Sequence, residues 1–281
     1  MVIVAPSETR TAAAPLPPEP SRARLAARDL AEGLAKSWMW TALALEDIRL
    51  RYRGSMLGPF WLTISTVVMA AGMGLVYSQV FRVQTESYVP YLTVGLILWQ
   101  LIASLINEGC EVFVRAESVI QQVPIAFSIH VYRSVCRNVI ILAHSLIVIP
   151  PMLLLFGIRV DWHVLEIIPG LALLIANGVW ITLLLGVFGT RFRDISPIVG
   201  NFMQVLFFLT PIIYPIEALR EWRGIATWNP FFAAIDVVRA PLLGTVPEGS
   251  SWVILVLWTL VGSALAFALF ARFRGRIAYW I

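Results

Sequence analysis

The chain has 281 residues, 59% of them hydrophobic and 14% charged, with a mean hydropathy of +0.80 and a net charge of +4. Soluble domains sit nearer half apolar and a quarter charged, and a globule this apolar leaves too little polar surface to face water. The composition excludes a disordered chain, a disulfide scaffold and an ordinary soluble enzyme, and points to an integral membrane protein with several spans of roughly 20 residues.

In chain order, Pro6, Pro15, Pro17, Pro18 and Pro20 mark residues 1–23 as a disordered, Pro-rich tail, with no apolar run long enough for a signal peptide. Over 24–55, Leu30, Leu34, Trp38, Ala42, Leu45, Ile48 and Tyr52 recur every three or four positions among many charges. That spacing predicts an amphipathic helix lying in the membrane surface, with room for a soluble partner on its polar face. The remaining 56–281 form one membrane domain with apolar stretches near 60–81, 90–107, 138–157, 165–189, 197–216 and 252–271. The expected fold is therefore an all-α membrane protein with six transmembrane helices.

With both termini in the cytoplasm, only Arg82, Arg159, Arg220, Arg223 and Arg239 of the 21 basic residues fall on outer segments. This is the positive-inside bias, and it accounts for the basic balance without nucleic acid. The inner connection 108–137 carries Arg115, Glu117, Ser118, Gln121 and Gln122 before Pro124, and predicts a short helix ended by the proline. Another inner loop reads Thr190-Arg191-Phe192-Arg193-Asp194-Ile195-Ser196. The outer connection 217–251 is long but rich in Trp222, Trp228, Phe231 and Phe232, which suits a re-entrant helical segment before the last span.

Lys36 is the only lysine and follows Ala35, so the chain lacks the Gly-Lys-Ser/Thr of a nucleotide-binding P-loop. Cys110 and Cys136 have neither disulfide-framework nor zinc-site spacing, and no metal site is expected. No hydrolase or metalloprotease motif occurs, which argues against a membrane glycosyl- or acyltransferase. Of ionisable groups the span cores hold only His144, read as helix–helix hydrogen bonding or a proton relay, and this weakens an ion-coupled carrier or channel. Tyr77, Trp99, Gln100, Asn177, Trp180, Asn201 and Gln204 are read either as packing or as the wall of a neutral, aromatic path that suits sugars.

Arg49-Leu50-Arg51-Tyr52-Arg53-Gly54-Ser55-Met56-Leu57-Gly58-Pro59-Phe60-Trp61 leads into the first span. Later come Arg191-Phe192-Arg193-Asp194-Ile195, Phe207-Phe208-Leu209-Thr210-Pro211-Ile212-Ile213-Tyr214-Pro215 and Trp228-Asn229-Pro230-Phe231-Phe232. This series, over about residues 33–281, resembles the permease subunit of ABC-2 type exporters of polysaccharides such as O-antigen, capsule and teichoic acid. The resemblance implies a homodimer with two separate ABC ATPase subunits that bind ATP and Mg, in the bacterial cytoplasmic membrane. It maps contact with the ATPase onto Arg115, Glu117, Ser118, Gln121 and Gln122, joined by Arg191, Arg193 and Asp194. It places a channel near the dimer interface, and an outer gate at Trp222, Trp228, Phe231 and Phe232. The cargo it implies is a lipid-linked polysaccharide, whose pyrophosphate Arg51 and Arg53 would meet. Another wall glycan, a lipid or a drug are the alternative cargoes.

Overall fold

The computed structural model describes residues 21–58 and 60–281, and the secondary structure of these residues is entirely helical. The expected Pro-rich tail falls mainly on residues 1–20, outside that range. The first helix, α1 (Arg22–Ala35), already includes the last residues assigned to the tail, with Ser21 accepting from the Arg24 amide as its N-cap. The single helix expected over 24–55 is two helices. At Lys36 the backbone leaves helical geometry (ψ 44°), and α2 (Ser37–Arg51) starts at the next residue.

The membrane body follows as α3 (Phe60–Phe81), α4 (Thr85–Cys110), the short α5 (Glu117–Gln122), α6 (Ser128–Leu146) and α7 (Ile149–Leu155). Then come α8 (Ile167–Arg191), α9 (Ile195–Leu209), the one-turn α10 (Arg223–Thr227), α11 (Pro230–Leu242) and α12 (Gly249–Trp280). Pro150 and Pro151 sit in the first turn of α7, where a missing amide costs nothing, and so break the third span without ending it.

Among the described residues five stretches are long and apolar enough to cross a membrane: α3, α4, Ser128–Leu155, Trp162–Arg191 and α12. The expected fifth span is shorter than its apolar run. α9 has 15 residues, roughly 22 Å at the usual helical rise. It stops at Thr210, whose extended backbone precedes Pro211. The third span starts ten residues earlier than its hydropathy suggests. Arg133 and Arg137 accordingly lie on α6 and not in a loop.

α4 is the central element. In its most apolar window 72% of residues are buried, against 17% for α3, which lies on the outside. α8 packs between α4 and α12. At the α8–α12 contact the Trp180 ring fills the notch at Gly262, where an added Cβ would stand 2.3 Å from the indole. α1 and α2 pack on α6 and α12 through small residues, burying Ala26, Gly33 and Ala44. Leu30 and Trp40 pack inward, Trp40 beside Tyr132, whereas Leu34 is 59% and Trp38 73% exposed.

Candidate functional site

The site is built where α2, the C-terminal end of α4 and the first half of α6 meet. Arg133 on α6 grips Asp47 of α2 as a fork, its Nε donating to Oδ2 at 2.8 Å and its Nη2 to Oδ1. Arg137, one helical turn on, donates Nη1 to the same Asp47 and Nη2 to Glu108 of α4 at 2.6 Å. Glu108 also accepts from Arg51 Nη2 at 2.8 Å and from Asn138 Nδ2 at 2.7 Å. The Glu108 and Arg137 side chains are each only 12% exposed. Charge-assisted bonds at such depth are strong because little water competes. Asp29 performs a similar task on α1. It accepts from the Ser128 amide at 3.0 Å, at the start of α6, and from Arg274 of α12 at 2.7 Å.

Burial acts to raise the Asp47 pKa, but the combined pull of Arg133 and Arg137 outweighs it and holds the carboxyl below its ordinary value of 3.8. A depressed carboxylate contributes stability that is complete above the unfolded pKa and is lost as pH falls through the folded one. Wild-type protein in detergent should therefore melt above Asp47→Asn at neutral pH, with the gap closing below about pH 4. Melting curves at stepped pH check this; a constant gap would refute it.

The connection after α4 turns through Val114–Ala116 into α5, which ends before Pro124 as the sequence predicts. Arg115, Glu117, Ser118, Gln121 and Gln122 are all exposed, as are Arg191, Arg193 and Asp194. The residue that links these two inner segments is Glu111, which the sequence reading did not single out. It accepts from Ser196 Oγ at 2.7 Å and from Arg115 Nη2 at 2.6 Å. The Ser196 bond, then the Arg115 bonds, hold its carboxyl below the usual range.

The residues expected to line a path each make contacts of their own within the chain. Trp180 donates to Asn177 Oδ1 at 2.8 Å, and Asn177 donates to Thr259 Oγ1 on α12 at 2.7 Å. Trp99 packs against Phe207 and Phe231. Gln100 lies 3.4 Å from Thr66 of α3, and Tyr77 stacks on Phe81. Asn201 and Gln204 are exposed on α9, a helix whose one buried residue is Met203. His144 bonds the Ile140 carbonyl of its own helix through Nδ1 at 2.7 Å and packs edge-on against Phe60 of α3. Arg51 and Arg53 are both exposed at the end of α2.

On the far side of the body, the irregular backbone after α9 is buried at Pro211, Ile212 and Ile213. Its carbonyls are satisfied from neighbouring helices. Tyr88 of α4 donates to Ile213 O, and Tyr91 to Pro211 O at 3.1 Å. Arg239 of α11, 3% exposed, donates to Pro211 O at 3.1 Å while lying 3.8 Å from the Tyr91 ring centroid. Non-helical backbone surrounded by apolar helices persists only with such partners. α11 is buried almost throughout from Phe232 to Pro241 with Phe231 half-buried, whereas Trp222 and Trp228 are exposed.

Several helices apolar and long enough to span, with α2, α4 and α6 tied together by buried ion pairs, define a polytopic membrane protein. The chain belongs to the ABC-2 type transporter family, a family of membrane transport subunits, which it matches over residues 40–243. It is 24% identical to an O-antigen export system permease protein RfbA of Klebsiella pneumoniae, over 83% of this chain and 91% of that one. It is 24% identical to the Myxococcus xanthus protein of the same name, over 64% and 69% of the two chains. The polysialic acid transport protein KpsM of Escherichia coli is 22% identical over 82% and 91%.

Proposed function

We propose that this chain is the permease subunit of an ABC exporter that moves a lipid-linked cell-surface polysaccharide, such as O-antigen, across the bacterial cytoplasmic membrane. The observation that carries the reading is the similarity, along 83% of the chain, to a permease named for O-antigen export. Two copies of the chain would form the pathway, and two separate ATPase subunits would bind ATP and Mg and drive it. The single lysine, which leaves no P-loop, supports a separate motor.

In this arrangement α9, continued by residues 210–216, makes the sixth crossing, and α10 with α11 forms a re-entrant gate. The hydrogen bonds that Tyr91 and Arg239 give to Pro211 support a stable non-helical segment at that depth. The α1–α2 pair lies on the inner membrane surface with both termini cytoplasmic, a reading supported by outward-facing Leu34 and Trp38. Arg51 and Arg53 meet the lipid pyrophosphate there. Asn201 and Gln204, exposed on α9, face the path between the two copies.

Force from the ATPase arrives at Arg115, Glu117, Ser118, Gln121 and Gln122. It passes along α4 because Glu111 and Glu108, at the end of that helix, bond the 195–196 turn and α6. The double variant Glu117→Arg/Gln121→Arg reverses or adds charge on a face where no residue is buried. It should leave the permease folded in the membrane, abolish co-purification of the ATPase in mild detergent, and reduce export more than tenfold. An unchanged ATPase yield would refute α5 as the contact. A wild-type oligomer that retains no nucleotide-binding subunit would refute the exporter reading itself.

A further inference from the structure

α1 and the last turns of α12 bring six arginines together. Arg22, Arg24 and Arg28 lie on α1, Arg272, Arg274 and Arg276 on α12, and the two helices pack on each other. The same stretches carry two acidic side chains, and both are engaged. Asp29 accepts from Arg274 and from the Ser128 amide, and Glu32 accepts from Arg28. Arg22, Arg24, Arg272 and Arg276 form no ion pair among the described residues. Between the helices lies a cavity of about 180 Å³, lined by Arg22, Arg272, Arg274 and Arg276 with Leu25 and Ala271, and by no carboxylate.

Arg22, Arg272 and Arg276 are exposed, so their charge is open to a ligand. The arrangement repels itself. α1 has no acidic residue in its first turn, and Arg22 and Arg24 stand at the positive end of its macrodipole. Three more arginines face them from α12. An anion seated in the cavity would offset both repulsions at once.

What runs into the cavity decides the kind of anion. Trp258, Val261, Leu265, Ala268, Arg272 and Arg276 recur every three or four positions and share one face of α12. The first four are exposed, an apolar row that meets no other part of the chain closely enough to be buried. From Ser251, near the start of α12, to Arg272 the helix rises about 31 Å, which matches a hydrocarbon core of about 30 Å. With the end of α12 in the cytoplasm, Arg272 sits at the inner edge of that core. Arg276 lies about 6 Å further out, among the headgroups. An apolar row that ends in arginines fits an amphiphile, with its acyl chains along the row and its phosphate in the cavity. A soluble phosphate or an acidic protein surface would leave the row unused.

We infer that the cavity between α1 and α12 is a site for the headgroup of an anionic phospholipid of the inner leaflet, held by Arg22, Arg272, Arg274 and Arg276. Basic pockets beside spanning helices on the cytoplasmic side suit such headgroups, and arginine forks suit phosphate oxygens. The bound lipid pins α1 to the last span at headgroup depth and so fixes where the surface helix starts. The site is separate from Arg51 and Arg53, which lie at the other end of the α1–α2 pair. It rests on the inner-surface placement of α1 and α12 proposed above and not on the cargo.

Native mass spectrometry of the purified full-length chain in mild detergent, titrated with phosphatidylglycerol or phosphatidylcholine of the same acyl chains, tests the assignment. Wild-type protein should hold phosphatidylglycerol about tenfold or more tightly than phosphatidylcholine, less so as salt rises, and should melt higher in its presence. The double variant Arg272→Gln/Arg276→Gln removes two exposed charges and should lose both the preference and the thermal shift. Arg22→Gln alone should weaken them by about threefold or more and covers the case in which the double variant does not fold. Arg82→Gln/Arg159→Gln, which removes two exposed charges from other connections, should behave as wild type does. Equal retention of the two lipids by wild type, or an unchanged preference in both cavity variants, overturns the site. Displacement of phosphatidylglycerol by an equal concentration of glycerol 3-phosphate overturns its lipid character. A double variant that keeps the lipid but no longer co-purifies the ATPase makes these arginines a protein contact and likewise overturns it. Selective lipid retention by a chain that recruits no ATPase would remove the exporter reading and leave the site standing.

Discussion

Replacing Gly189 with alanine is expected to empty the membrane of folded protein. Gly189 lies on α8 where that helix crosses the end of α4, and a Cβ built there stands 1.8 Å from the Cys110 carbonyl oxygen and 2.8 Å from its carbon. The obstacle is backbone, so no rotamer change relieves it. The helices must part, which undoes the packing of Phe113 and Val112 beside the same crossing. Overpacking against yielding side chains costs roughly 1–3 kcal/mol, and an unyielding main chain puts this substitution at or above the top of that range. Gly275→Ala on α12 is the control, because nothing lies within 4 Å of its Cβ position. There the better helix propensity of alanine should raise stability by up to about 1 kcal/mol. Membrane abundance and detergent melting of the two variants should move in opposite directions; equal losses would count against this α4–α8 contact.

The second large effect is expected at Glu108→Ala. The substitution strips Arg51, Arg137 and Asn138 of a shared acceptor and leaves Arg137 buried beside Asp47 alone. Removing one partner of a buried ion pair typically costs about 3–5 kcal/mol, because the remaining charge stays desolvated. Glu108→Gln keeps an acceptor oxygen and should recover part of the loss. Both should lower the melting temperature, alanine more than glutamine. In the assembled transporter they should also lessen the stimulation of ATPase activity by cargo, since Glu108 is where α2 meets α4. A melting temperature for Glu108→Ala equal to that of wild type would show that the network contributes nothing net. Surface pairs such as Arg28–Glu32 are the contrast: both side chains are largely exposed, and their loss should be near neutral.

How much of this was legible beforehand varies by element. The spans at α3, α4, α8 and α12 follow from unbroken apolar runs, because in lipid a helix is the simplest way to satisfy every backbone group. The short helix before Pro124 and the break at Pro150-Pro151 follow from proline chemistry, and both are present. The start of α6 was misplaced because Arg133 and Arg137 read as loop residues, whereas their charges are met by Asp47 and Glu108 from helices distant in sequence. The length of α9 was overestimated because Ile212 and Ile213 are as apolar as a helix would require. Nothing local shows that Tyr88, Tyr91 and Arg239 stand ready to bond the carbonyls of a non-helical segment.

For the site the division is similar. The exposed positions on α5 were readable, since a short polar helix between two spans has to face water. Glu111, Glu108, Asp47 and Asp29 were not, because each is an unremarkable polar residue until its partner is placed beside it.

Membership of the membrane class, the helical fold, the basic bias of one side and the lack of a P-loop are properties of composition and order along the chain. They depend on solvent preference and local backbone chemistry, which act residue by residue. Which charges are neutralised, where helices approach within a glycine's width, and which polar nitrogens are left without a partner are properties of contacts between residues far apart in sequence. Those were decided by how α2, α4, α6 and α8 pack, since a buried charge is tolerated only where packing supplies its partner.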